Sequence, residues 1–148
     1  MSLRRFASVL VLSLLLGATP ALADRAVVLV THRSSSLDNI DMLSIRKAYL
    51  AVPVQVGGQG ITAIRRKDDE QLNKIFMQAV IAMSEKSYER RLLLMALKFA
   101  APRPLEVAGR EEMLEKVTTV PSGIAYMWLE EAEADGRVKV IRVLWQER

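Results

Sequence analysis

The chain contains no cysteine, and among its 148 residues it has one histidine, His32. Without cysteine it can form neither disulfide bonds nor thiolate metal ligands. A catalytic base also needs a nucleophile and an orienting partner, and the sequence identifies neither for His32. We therefore predict no catalytic residue, no metal site and no cofactor, and we expect a protein that is not an enzyme.

Long apolar runs are scarce as well, and one near the start occupies residues 9–16, interrupted only by Ser13. It follows Arg4 and Arg5 and precedes an Ala-Leu-Ala sequence at 21–23, which is the order found in secretory signal peptides. It is shorter than the roughly 20 apolar residues that span a bilayer. We predict a signal peptide over 1–23, cleaved after Ala23, and a periplasmic domain over 24–148 with no membrane span. An uncleaved N-terminal anchor is the alternative.

Charge of one sign is also limited. The chain has 21 basic and 17 acidic residues, and Arg4 and Arg5 belong to the predicted signal peptide. Cleavage would leave 19 basic against 17 acidic residues, a net charge of about +2. Nucleic-acid binding requires a concentrated basic face, so we predict no nucleic-acid partner.

Hydrophobic patterning alternates between strand and helix. The run 26–31 is continuous and β-branched, which predicts a strand buried on both faces. Further strands are expected at 61–65, 124–128 and 138–144, the last of them nearer a sheet edge. The glycine-rich and proline-containing segment 52–60 is expected to lack regular structure.

Four helices are expected between these strands. Asp41 can cap a largely covered helix over 42–50, and Asp68 or Asp69 can begin an amphipathic helix whose apolar stripe reaches Met83. Ser84 can cap a third helix, and a shorter one begins at residue 109 or 110 and continues to about 119. The third helix has a predicted buried stripe of Tyr88, Leu92, Met95, Ala96 and Phe99. This alternation predicts an α/β fold, a single layered domain with a mixed sheet covered by helices.

Two groups of polar residues are candidate ligand contacts. Ser34, Ser35 and Ser36 follow the first strand, and hydroxyls at the end of a strand can hold a small anion. Arg65 ends the second strand, Arg66 follows it, and either could also serve an anion. A plain polar loop is the alternative for the serines, and solvated or partner-binding cations are the alternative for the arginines.

Acidic residues are expected to have structural roles. Asp68, Asp69 and Glu70 begin a helix, where they complement its dipole and occupy the place in which a phosphate would otherwise bind. The acidic clusters at 111–115 and 130–135 are predicted to be solvated. The second of these lacks the alternating ligands and central glycine of a calcium loop.

Four segments together resemble the short periplasmic phosphate-binding-protein-like family. These are type 2 periplasmic binding domains related to the substrate-binding component of phosphate ABC transporters. The segments are the strand 27–30 with its serine loop, the helix 45–50, the stretch 61–107 and the Val-Pro-Ser-Gly-Ile-Ala-Tyr sequence at 120–126. The resemblance spans about residues 26–143 and implies one lobe of a periplasmic binding protein.

The resemblance implies a solute-binding-like domain for a small oxyanion such as phosphate. This chain departs from the family at the turn after the second strand, where phosphate binders carry a Ser-Gly-Thr cluster and the chain has Lys67, Asp68, Asp69 and Glu70. It also has about half the length of a two-lobed binding protein. An interaction or regulatory module with an envelope protein partner, which kept the fold and lost the ligand site, therefore remains the alternative.

The predicted processing can be tested directly. When the full chain is expressed in a secreting bacterium, we expect the mature protein to begin at Asp24, because signal peptidase cleaves after the small residues at 21–23. Intact-mass spectrometry of the exported protein measures this. Recovery of the uncleaved chain from the membrane fraction would instead indicate an N-terminal anchor.

Overall fold

The computed structural model describes residues 25–148, so the predicted signal peptide lies outside the described residues. The elements in chain order are β1 (Ala26–His32), α1 (Met42–Tyr49), β2 (Gln55–Val56), β3 (Gln59–Gly60), β4 (Thr62–Arg66), α2 (Glu70–Phe76), a π-helical turn (Met77–Ile81), α3 (Glu85–Phe99), β5 (Leu105–Val107), α4 (Arg110–Thr119), β6 (Gly123–Trp128), α5 (Leu129–Glu133) and β7 (Val138–Gln146). Among these residues, no helix has the length and apolarity needed to cross a membrane.

Five strands form one mixed sheet in the order β5-β4-β6-β1-β7. Strand β4 runs parallel to β5 and β6, whereas β1 runs antiparallel to β6 and β7. The first six residues of β1 are all buried, as its continuous apolar sequence predicts. Strand β7 lies at an edge, also as predicted. The α/β class and the mixed sheet covered by helices are thus confirmed.

Helices cover both faces of the sheet, because alternate residues of each strand point to opposite sides. One core contains Val27, Leu29 and Tyr126 and packs against α1, α2, the π-helical turn and α3. The other contains Val28, Ile64 and Met127 and packs against α4 and α5. The sheet is therefore the middle of three layers, and its strand ends form two exposed rims.

A buried tyrosine marks the point where β4 and β6 separate. The two strands pair at Thr62 with Gly123 and at Ala63 with Ile124. The Tyr49 hydroxyl of α1 then lies 3.0 Å from the Ile64 carbonyl oxygen and 3.3 Å from that of Ile124. It therefore supplies a donor to carbonyl groups beside the gap between the strands, where a buried carbonyl without a partner would be destabilising.

Two segments differ from the local expectation. The connector 52–60 contains a short β2–β3 hairpin, because Gly57 and Gly58 adopt φ angles of 58° and 79° and close a tight turn that favours glycine. The helix expected to reach Met83 widens after Phe76 into the π-helical turn, closed by a 2.7 Å hydrogen bond from the Ala82 N–H to the Met77 carbonyl. The wider turn buries Met77 and Ile81.

Two helix positions are more exposed than the sequence predicts. Leu43 of α1 is 60% exposed, since α1 packs through the face that carries Ile45, Ala48 and Tyr49. Phe99 is 69% exposed, because the last turn of α3 extends beyond Met95, its last buried residue.

Strand β5 was not predicted, and the acidic stretch near residue 130 contains α5 rather than a loop. Strand β5 has only three residues and follows Pro104, so its pairing with β4 cannot be recognised from local pattern.

Replacing Tyr49 with Phe tests the role of its hydroxyl. We expect Tyr49→Phe to lower the free energy of unfolding by about 1–2 kcal/mol, because the Ile64 and Ile124 carbonyls lose a donor in the core. Urea unfolding of the mature domain, followed by circular dichroism, measures the change. A loss smaller than about 0.5 kcal/mol would mean that water or backbone movement satisfies these carbonyls.

Candidate functional site

The candidate site lies at the rim where the parallel strands β4, β5 and β6 end. We call this the carboxyl rim. Ligands of open α/β sheets usually bind at such a rim, because helices begin there and present backbone N–H groups. Helix α2 begins after β4, α4 begins after β5 and α5 begins after β6. The rim therefore brings three helix N-termini together.

Arg66 is the centre of the carboxyl rim. Its side chain is 5% exposed and makes four hydrogen bonds to carboxylates. The Nε and one terminal nitrogen donate to Asp68 over 2.7 and 2.8 Å, and the other terminal nitrogen donates to Glu131 over 3.1 and 3.3 Å. Arg110 also donates to Glu131, over 3.3 Å. The guanidinium is thus neutralised by two acids of the chain itself.

Each helix N-terminus at the rim is met by a carboxylate of the chain. Asp69 accepts from the Leu72 N–H of α2 over 3.0 Å and from the Trp128 indole N–H over 2.8 Å. Glu112 accepts from the Ala108 N–H just before α4 over 2.8 Å, and Glu131 accepts from the Trp128 N–H over 3.3 Å. At α2 the carboxylate accepts from a first-turn N–H, whereas α4 has no side-chain cap. The acids therefore offset the positive potential of the rim without occupying every donor.

Arg65 points to the opposite face of the sheet and is less completely paired. Its side chain is 9% exposed and donates to Glu85 of α3 over 3.3 Å. Its guanidinium lies 4.8 Å from the centre of the Tyr88 ring, and its Nε has no hydrogen-bond partner. A pocket of about 220 Å³ adjoins it, lined also by Asn73.

The two predicted groups of ligand residues do not come together. Thr31 of β1 pairs with Ile124, and Ala63 of β4 pairs with the same residue. Arg66 lies three residues further along β4, roughly 10 Å towards the carboxyl rim. The loop with Ser34, Ser35 and Ser36 follows the carboxyl end of β1. Because β1 runs antiparallel to β6, this end lies at the other rim of the sheet.

The serine loop lines a cleft of about 590 Å³ at this second rim. The Ser35 hydroxyl accepts from the Leu37 N–H over 3.1 Å, and Ser36 accepts from the Gln59 amide over 3.2 Å. Among the described residues that line it, none carries a permanent charge, and α4 ends there with its partially negative terminus. This cleft suits a neutral polar group better than an anion.

Several predicted surroundings were wrong. Arg65 and Arg66 are buried and paired rather than solvated, because Asp68, Glu85 and Glu131 surround the end of β4. Glu131 was assigned to a solvated loop, but its side chain is only 17% exposed. The contact between Arg66 and Glu131 joins residues 65 positions apart, and no local pattern indicates it.

Three solved structures illustrate what the fold is similar to. They are an ABC-type phosphate transport receptor from Vibrio cholerae (TM-score 0.57, 19% identity), PstS from Borrelia burgdorferi (0.58, 18%) and a phosphate ABC transporter substrate-binding protein with bound phosphate from Clostridium perfringens (0.58, 12%). Each match covers 80% of this chain. The chain has the fold of one lobe of a periplasmic binding protein.

The match covers only part of each solved structure. The chain covers 46%, 47% and 45% of the three solved chains, so it spans less than half of each. No protein-family model matches the sequence, and no curated protein sequence does either. The predicted resemblance is therefore confirmed at the level of the fold. Among residues 25–148, no group of three or more His, Asp or Glu side chains is arranged to hold a metal ion.

The pKa of Asp68 gives a pH test of the carboxyl rim. The hydrogen bonds from Arg66 hold the pKa of this carboxyl below its usual value of 3.8. A lowered pKa contributes stability above the unfolded value and loses it as the pH falls through the folded value. We expect Asp68→Asn to cost about 1 kcal/mol at pH 7, and the difference from the parent to shrink below about pH 4.

Denaturant unfolding at a series of pH values measures this difference. Asp38→Asn is the control, because the Asp38 side chain is 85% exposed beside Lys139 and such a pair contributes little. A constant difference between Asp68→Asn and the parent down to acidic pH would contradict the proposed role of the carboxylate.

Proposed function

We propose that this chain is a non-enzymatic, exported, binding-protein-like domain that acts as an interaction module in the cell envelope. The observation that carries the proposal is the pairing of Arg66 with Asp68 and Glu131 through four hydrogen bonds. In the family that the sequence resembles, a Ser-Gly-Thr cluster near this turn holds the anion. Here the chain's own carboxylates take that place.

Electrostatics opposes phosphate at this rim. A phosphate beside Arg66 would have to displace Asp68 or Glu131, or lie next to both of them. Displacement would give up charge-assisted hydrogen bonds of a buried guanidinium, and coexistence would place like charges a few ångströms apart. Either is costly, because the guanidinium is buried and depends on these charge-assisted hydrogen bonds.

The predicted signal peptide and the resemblance both support the compartment. A domain exported without cysteine and without a described membrane-spanning helix would meet its partner in the periplasm. The partner class we propose is an envelope protein, such as the periplasmic part of a sensor or of an outer-membrane complex.

A second function is favoured by one specific observation, the unpartnered Nε of Arg65. This nitrogen is buried beside a pocket of about 220 Å³, to which Lys67 also contributes. A small oxyanion could accept a hydrogen bond from this Nε only if neighbouring side chains moved to expose it. Glu85, Glu89 and Glu106 line the same pocket, however, so a singly charged or protonated oxyanion fits better than a dianion.

A gain-of-binding experiment separates the two functions. We expect the parent domain to give no binding heat with millimolar phosphate in isothermal titration calorimetry. The double variant Asp68→Ser, Glu131→Gln should bind phosphate at millimolar concentration, because it frees the Arg66 guanidinium and restores a hydroxyl at the turn.

The control removes two carboxylates from another arginine. Arg137 pairs with Glu111 over 2.7 Å and with Asp135 over 2.8 Å, so Asp135→Ser, Glu111→Gln changes the net charge equally while both partners of Arg66 stay in place. This control should not bind. Phosphate binding by the parent, abolished by Arg65→Gln, would support the solute-binding function and overturn the interaction module.

A further inference from the structure

Helix α3 presents an apolar outer face. Leu93, Leu94 and Leu97 are 52%, 43% and 74% exposed, although they are large aliphatic side chains. At about 100° per residue, these three lie within roughly 100° of one another on the side of the helix away from Leu92. We call them the leucine patch. The opposite side of α3 is its buried side, formed by Tyr88, Leu92 and Met95.

Cations lie beside the leucine patch. Lys86, Arg90, Arg91 and Lys98 are all exposed residues of α3. None of these four forms a salt bridge with another residue in the range 25–148. Positive charge on this surface is therefore not neutralised by the domain itself.

Both acidic residues of α3 are engaged elsewhere. Glu85 pairs with the buried Arg65 over 3.3 Å, and Glu89 pairs with Arg103 beyond the end of the helix. The unpaired charges beside the leucine patch are consequently all positive. That combination is typical of helices that lie on an anionic lipid surface with their leucines in the interfacial region.

Shape and charge favour a lipid surface, rather than a second copy of the chain or a protein partner, as the molecule that covers the leucine patch. A second copy would bring the same four cations against each other around a symmetric axis, and like charges at close range oppose association. A protein partner would need a groove that accepts three protruding leucines together with acids at matching positions. A lipid interface accepts protruding side chains without a preformed groove and supplies phosphates all round them.

We infer that the outer face of α3 binds the surface of an anionic lipid bilayer, with the leucine patch inserted at the interface and the four cations contacting lipid phosphates. This inference goes beyond the proposed interaction module and doesn't depend on the carboxyl rim. It involves no membrane-spanning segment. Bound in this way, the domain would keep the carboxyl rim and the serine-loop cleft available to other molecules.

Vesicle co-sedimentation tests the inference. The chain from Asp24 should be used, since it contains all described strands and helices and omits the apolar run of the predicted signal peptide. We expect it to bind vesicles of phosphatidylcholine with about one third phosphatidylglycerol, and not pure phosphatidylcholine. Leu97→Gln and Arg90→Glu should each weaken partitioning about tenfold, because each removes one component of the interfacial contact.

Matched controls distinguish a local contact from general properties of the chain. Val143 is 51% exposed on the edge strand β7, so Val143→Gln removes a similar apolar surface elsewhere. Lys116 is exposed on α4, on the opposite face of the sheet, so Lys116→Glu makes the same charge change as Arg90→Glu. Both controls should bind like the parent. Circular dichroism would verify that every variant is folded.

Three outcomes would overturn the inference. The first is an absence of binding to the anionic vesicles at low salt. The second is an equal loss of binding in Lys116→Glu and Arg90→Glu, which would show attraction by net charge alone. The third is a dimer in sedimentation velocity that Leu97→Gln dissociates, which would assign the leucine patch to a second copy of the chain.

Discussion

Two consecutive arginines at the end of an interior strand impose the main electrostatic constraint on this domain. Arg65 and Arg66 are 7% and 4% exposed, and successive residues of a strand point to opposite faces. Each charge must therefore be neutralised on its own side of the sheet, because an unpaired buried charge is strongly destabilising. Glu85 of α3 meets Arg65 on one side, whereas Asp68 and Glu131 meet Arg66 on the other.

The same constraint determines the chemistry of the carboxyl rim. Asp68 and Glu131 neutralise Arg66, and Asp69 and Glu112 accept hydrogen bonds from N–H groups at or beside the helix starts. A rim that could bind an external anion has thus become an internal ion-pair network linking β4, β6 and three helices. The chain has the fold of one lobe of a periplasmic binding protein, and its carboxyl rim carries carboxylates paired within the chain. The surfaces that remain open to other molecules lie elsewhere. They are the exposed apolar face of α3 and the cleft lined by the serine loop.

Local signals predicted much of the architecture. Asp41 and Ser84 begin their helices as expected, since each side chain accepts a hydrogen bond from an N–H of the first turn. The buried strand β1 and the edge strand β7 were likewise evident from apolar pattern. Strand β5 and the π-helical turn were not, because the first is a three-residue element stabilised by its neighbour and the second differs from an α-helix only in hydrogen-bond register.

The sequence by itself determined the main strands and helices, the caps at Asp41 and Ser84, the α/β class and the presence of acids where the resembling family has hydroxyls. Only the tertiary structure decided that Arg66 meets Glu131 and that Ser34, Ser35 and Ser36 lie at the opposite rim from Arg65. The physical reason is strand direction. Strands β1 and β4 run antiparallel to one another through β6, and this depends on pairing between distant segments rather than on any local pattern.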